Sequence, residues 1–144
     1  MSKPELDNLD NLARIGNLAR EAPSAREFSG LLASGQARLA DAQREANSLP
    51  GRFDLAYNAA HAFALAALRW HGYRSDNRYL VFQSLPHTLG VPTPLWRVLS
   101  KAHEMRNLAE YEGHLDIGEQ FLTDLIAAAE AVRLAVVKLP LPQS

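Results

Sequence analysis

The chain contains no cysteine, which rules out disulfide staples and thiolate zinc sites and fits a reducing, cytoplasmic setting. It carries no excess of charge. Fifteen lysines and arginines face sixteen acids, for a net charge of −1, so no broad basic field gathers nucleic acid and any RNA contact must be local. Long apolar runs are also missing. The most apolar stretch, Leu55 to Leu68, is broken by Asn58 and His61 and falls short of the ~20 residues that span a bilayer, so a buried helix and no membrane partner are expected. The opening MSKPELDNLD has neither a positive head nor a hydrophobic core, and no secretion signal is expected. There is no HExxH, no glycine-rich phosphate loop and no GxSxG elbow, and the five histidines follow no ligand spacing. No metal and no cofactor are therefore expected.

What remains is strongly helical. Alternating β patterns and internal repeats are absent, and 144 residues suit one domain with a sizeable core. Leu6, Leu9, Leu12 and Ile15 mark a first helix that Pro23 ends. Ser24 and Glu27 form a capping-box pattern before Phe28, Leu31, Leu32, Leu39 and Ala42, and Leu49-Pro50-Gly51 reads as the stop. A third helix is expected from about Arg52 to Trp70 and a shorter element over Asn77 to Thr88. Thr93 with Pro94 reads as an N-cap and first-turn proline of a helix ending near Gly113, and Asp116 with Glu119 as the cap of the last helix. The expectation is an all-α, up-and-down bundle of four to five main helices. Residues 1–22 read as an N-terminal helical extension, 23–139 as the bundle and 140–144 as a loose tail.

Two polar groupings interrupt the apolar periodicity. Asp54, Asn58, His61 and Arg69 share one stripe of the third helix, either its solvent face or the lining of a cleft. On the helix before Gly113, Arg106 falls on the same arc as Leu95, Val98, Leu99, Ala102, Met105 and Ala109, counting about 100° per residue. A guanidinium that cannot lose its proton needs a carboxylate, a phosphate or a wet cleft when it points inward. Glu110, one turn on, offers an intrahelical partner, whereas the planar fork also suits phosphate, with Asn107 as a further donor. His103 and His114 are the nearby groups that titrate around neutrality. Trp70, Trp96, Tyr73, Tyr79 and Phe82 read as core and interface anchors rather than base-stacking platforms.

The order DLAYNAAHAFALAALRWHGY, then NRYLVFQSLPHTLG, then a helix ending in RNLAEYEG and a last amphipathic helix resembles the HEPN domains of prokaryotes, over about residues 26–138. The nearest branch is the one whose motif reads Arg, three residues, an acid and Tyr. The resemblance implies a bundle that dimerises with the motif helices facing each other across a cleft. Catalytic members are metal-independent RNA endonucleases, often toxins neutralised by a nucleotidyltransferase encoded beside them, with a motif of Arg, a polar residue often Asn, and a later His. Arg106 and Asn107 match that motif, but Tyr111, Glu112 and Gly113 fill the permitted histidine places and His114 follows one residue too late. The expected function is a homodimer that binds a nucleotide or RNA phosphate, in a toxin-antitoxin or defence setting, with nuclease activity weak or lost. Arg106, Glu110 and Tyr111 are the catalytic candidates, and Arg106, Asn107, His103, Asp54, Asn58 and His61 the ligand-binding ones. Two alternatives stand beside it: a non-catalytic module docking a nucleotidyltransferase, and an RNA endonuclease toxin.

Overall fold

A computed structural model describes residues 3–14 and 16–142. Ile15 and the last two residues of the expected tail lie outside that range. In chain order the elements are α1 (Lys3–Arg14), β1 (Ala19–Arg20), α2 (Ala25–Ala42), α3 (Leu49–Trp70), β2 (Tyr73–Arg74), α4 (Arg78–Gln83), α5 (Leu85–Thr88), α6 (Thr93–Glu112) and α7 (Glu119–Val136). This is the all-α bundle expected. The antiparallel pairing of Ala19 with Arg74 and of Arg20 with Tyr73 was not anticipated, because two-residue strands leave no alternation to read.

α3 is the axis of the bundle, packed chiefly against α2 and α7 and also touched by α4, α5 and α6. Its buried face is rich in alanine: Ala56, Ala59, Ala60, Ala66 and Ala67 are all fully buried. Small side chains let neighbouring helices approach closely, and Phe53, Tyr57, Phe63 and Leu68 fill the remaining space. Gly35 of α2 serves the same close approach, because a Cβ there would meet Phe63 Cε1 at 2.5 Å. The glycine is a packing requirement, not a weak point in the helix. Phe28 and Leu39 of α2 and Leu122, Leu125, Ala129, Val132 and Val136 of α7 are buried at the positions their periodicity marked. Leu9 and Leu18, from the expected N-terminal extension, join the same core cluster.

The helix ends correct several expectations. Ser24 Oγ accepts from Glu27 N at 3.2 Å, but the Glu27 carboxylate turns to Arg69 instead of closing a capping box. Leu49-Pro50-Gly51 opens α3 rather than stopping α2, with Ser48 Oγ accepting from Gly51 N at 3.1 Å. Proline at the first turn loses no helical hydrogen bond, so a tripeptide that reads as a stop can start a helix. The element expected over Asn77 to Thr88 divides at Ser84 into α4 and α5. Pro92, not Thr93, caps α6, its carbonyl accepting from Leu95 N at 3.1 Å. Gly118, not Asp116, caps α7, since the intervening Ile117 is drawn into the core. Past α7 the chain returns, and Trp70 Nε1 donates to Pro140 O at 2.7 Å, which fastens the start of the expected loose tail. Among the described residues no helix is long and apolar enough to cross a membrane.

Candidate functional site

Three elements bring the polar side chains together. α3 supplies Asp54, Tyr57, Asn58 and His61, α4 supplies Arg78, and α6 supplies His103, Arg106, Asn107 and Glu110. Tyr57 is the hub. Its ring is buried, stacked on Phe53 at 6.3 Å and edge-on to Phe82 at 5.7 Å. Two guanidinium carbons lie 5.4 Å (Arg78) and 5.1 Å (Arg106) from its centroid, so the two charges stand within about 10.5 Å of each other. Cation–π contact with a buried phenol favours both positions.

The two arginines differ in their partners. Arg106 Nε reaches Asp54 Oδ1 at 3.3 Å and Nη1 reaches Glu110 Oε1 at 3.2 Å, so the intrahelical pair suggested by the sequence does form and a second carboxylate joins it. Both pairs are substantially exposed and add little to stability. Arg78 Nη1 donates to Asn58 Oδ1 at 2.9 Å, and no carboxylate among the described residues lies within ion-pair distance of it. A half-buried cation held by a neutral amide retains most of its demand for an anion.

Between the arginines runs a chain of neutral groups. Tyr57 Oη lies 2.9 Å from His103 Nδ1, and His103 Nε2 lies 3.1 Å from Asn107 Nδ2. Burial, then the charges of Arg78 and Arg106, hold the His103 imidazole below its ordinary value. A neutral imidazole donates through one nitrogen and accepts through the other, so phenol, imidazole and amide form one directional chain. His61, edge-on to Phe82 at 5.9 Å, is pushed down to about 4, first by burial and then by Arg78 and His103. Burial also raises the Tyr57 phenol, with Arg78 pulling the other way. Both histidines are thus neutral at pH 7.

Beside this cluster an open groove of about 560 Å³ is lined by Phe53, Asp54, Arg106, Glu110 and His114 among others. Asp54, Asn58, His61, His103, Arg106, Asn107 and Glu110 therefore share one region of the surface. Two expected members do not. Arg69 leaves the stripe of Asp54, Asn58 and His61, because the chain before α2 folds back over the far end of α3 and buries it. Tyr111 is 91% exposed and makes none of the contacts that tie Arg106 to the cluster. Conversely, Tyr57 and Arg78 were not singled out by the chemical reading of the sequence. Tyr57 sits inside an apolar run, and Arg78 opens a helix too short to show periodicity. The one signal in the sequence was Asn77, whose side chain caps α4 and accepts from Leu80 N at 3.1 Å. Among the described residues no three histidine or acidic side chains converge as metal ligands would.

No family model, curated protein or solved structure matches this chain. Function is therefore read from the side chains themselves.

Proposed function

We propose that this protein is a HEPN-like helical domain that binds the phosphate of a nucleotide or RNA between Arg78 and Arg106. The observation that carries the reading is Arg78: a half-buried guanidinium set against Tyr57, partnered by Asn58 and by no carboxylate among the described residues. A phosphate supplies the acceptor that such a fork is shaped to take. Arg106 is the second claw, with Asp54 and Glu110 holding it in place until an anion competes for it. The neutral His61 adds hydrogen-bonding capacity without further charge.

Nuclease activity is weak or absent in this reading. Cleavage by a 2′-hydroxyl needs a base near neutral pH. Glu110 is engaged with Arg106, His103 is engaged at both nitrogens, and Tyr111 stands apart from the cluster. Titration with pyrophosphate tests the site. Arg78→Gln and Arg106→Gln are each expected to weaken binding about ten-fold or more, the size of a charged hydrogen bond, with thermal melts close to wild type. Equal affinity in all three proteins would sink the site. Long unstructured RNA incubated without divalent metal is expected to stay intact, and cleavage that disappears in Arg106→Ala would reassign the protein as an endonuclease.

A second face of α6, turned away from Arg106 and Glu110, supports self-association. Leu108 is 55% and Tyr111 91% exposed, and they lie three residues apart on the turns that carry Arg106 and Glu110. A twofold contact over them would bury both. Light scattering coupled to gel filtration is expected to give a dimer at micromolar concentration, and Leu108→Lys with Tyr111→Lys a monomer. A wild-type monomer would instead leave this face to a different protein, such as a nucleotidyltransferase.

A further inference from the structure

The aromatic residues beside the arginines do not all serve the core. Tyr79 follows Arg78 on α4, yet the residue is 38% exposed, whereas Tyr57 and Phe82 are buried. It is also held in place. Its centroid lies 6.3 Å from the half-buried Trp96 at an interplanar angle of 69°, and 6.1 Å from His103 at 45°. An aromatic ring that is exposed and already oriented loses little conformational freedom when a second ring settles on it. Tyr111 is more exposed still, but no ring contact fixes it among the described residues.

Position supplies the second half of the argument. Tyr79 and Tyr57 both touch His103, and Tyr57 touches both guanidinium groups. One imidazole thus separates an exposed aromatic residue from a pair of phosphate-seeking cations, which is the juxtaposition of base and phosphate within a single nucleotide. We propose that Tyr79 is a base-stacking platform, so that the Arg78–Arg106 site takes a nucleoside phosphate unit, either free or unpaired within a strand. The proposal rests on the phosphate-binding reading above and adds the base to it. Stacking is tolerant of base identity, because every base offers a π-face. A base inside a duplex has both faces occupied and is excluded.

The test compares ribose 5-phosphate, adenosine 5′-monophosphate, single-stranded hexa-adenylate and a short RNA duplex, by calorimetric titration of wild type, Tyr79→Ala and Tyr79→Phe. Wild type should bind the nucleotide about ten-fold more tightly than ribose 5-phosphate. Tyr79→Ala should erase that difference while leaving ribose 5-phosphate unchanged, and Tyr79→Phe should preserve it. Tyr79→Phe should melt as wild type does, and Tyr79→Ala, which loses the ring contacts with Trp96 and His103, at a modestly lower temperature while remaining folded. Equal affinity for sugar phosphate and nucleotide, an unchanged ratio in Tyr79→Ala, or duplex binding as tight as single strand would each overturn the platform while leaving the phosphate site standing. Binding of none of the four ligands would overturn the phosphate site, and the platform with it. Tighter binding of hexa-adenylate than of the monophosphate identifies a strand as the source of the unit, and the reverse order a free nucleotide; both support the platform.

Discussion

Replacing Arg69 by alanine is expected to destabilise the protein by about 3–5 kcal/mol, the range for removing one partner from a buried charged pair. Arg69 is 2% exposed. Its Nε donates to Glu27, its Nη1 to Glu21 O at 2.9 Å and Tyr73 O at 3.3 Å, and its Nη2 to Ala22 O at 2.7 Å. One side chain thereby ties the segment before α2, the first turn of α2 and strand β2 to the end of α3. Without it three carbonyls lose a donor, and Glu27 keeps only Arg74. Burial pushes the Glu27 carboxyl up, and hydrogen bonds from Arg69 and Arg74, with their charges, overcome that to hold it below the usual carboxylate value. Losing Arg69 shifts that balance toward the neutral acid. Arg69→Met, which restores volume but no donor, should recover little, because the unsatisfied carbonyls dominate the cost. Urea denaturation with m-values unchanged would give the difference directly. A loss below about 1 kcal/mol would mean that water replaces the guanidinium and that the network is dispensable.

Arg69 also shows where reading the sequence stops. A helical wheel gives the angle of a side chain but not which element covers it at that height along the axis. Asp54, Asn58, His61 and Arg69 share an angle, yet the first three meet α4 and α6 while the last is buried under the segment that precedes α2. The periodic cores of α2 and α7 were legible because a 3.6-residue repeat sustained over several turns specifies a buried face by itself. The Arg106–Glu110 pair was legible for the same local reason, being one turn apart. Its partner Asp54 lies 52 residues away, and no local rule brings it there. Tyr57 and Arg78 were hidden for a related reason. Their importance comes from the meeting of α3 with α4, and only the fold brings that meeting about.

Stability should fall as the pH is lowered from about 6.5 towards 4, and His61 should account for much of the fall. Its folded imidazole is pushed down to about 4, while in the unfolded chain it titrates near ~6.5. Between these values the unfolded state binds a proton that the folded state refuses, so stability rises with pH across the window. The contribution is complete above the unfolded value and lost by the folded one, and at 1.36 kcal/mol per unit it amounts to at most about 3 kcal/mol. His103 and His71 are depressed in the same direction and steepen the slope. Glu27 and Glu130, both held below the usual carboxylate value, act only at lower pH. Urea denaturation at several pH values, with His61→Gln alongside, separates these groups: the variant should lose much of the slope above pH ~5 and keep the acid limb. An equal slope in the variant would assign the effect to His103 and His71, and a flat wild-type profile would show His61 to be well solvated. Because Arg78 is one cause of the depression, an anion bound to that guanidinium should offset its charge and raise the His61 value. Pyrophosphate should therefore shrink the His61 part of the acid loss of stability and make it level off at a higher pH in wild type, but not in Arg78→Gln.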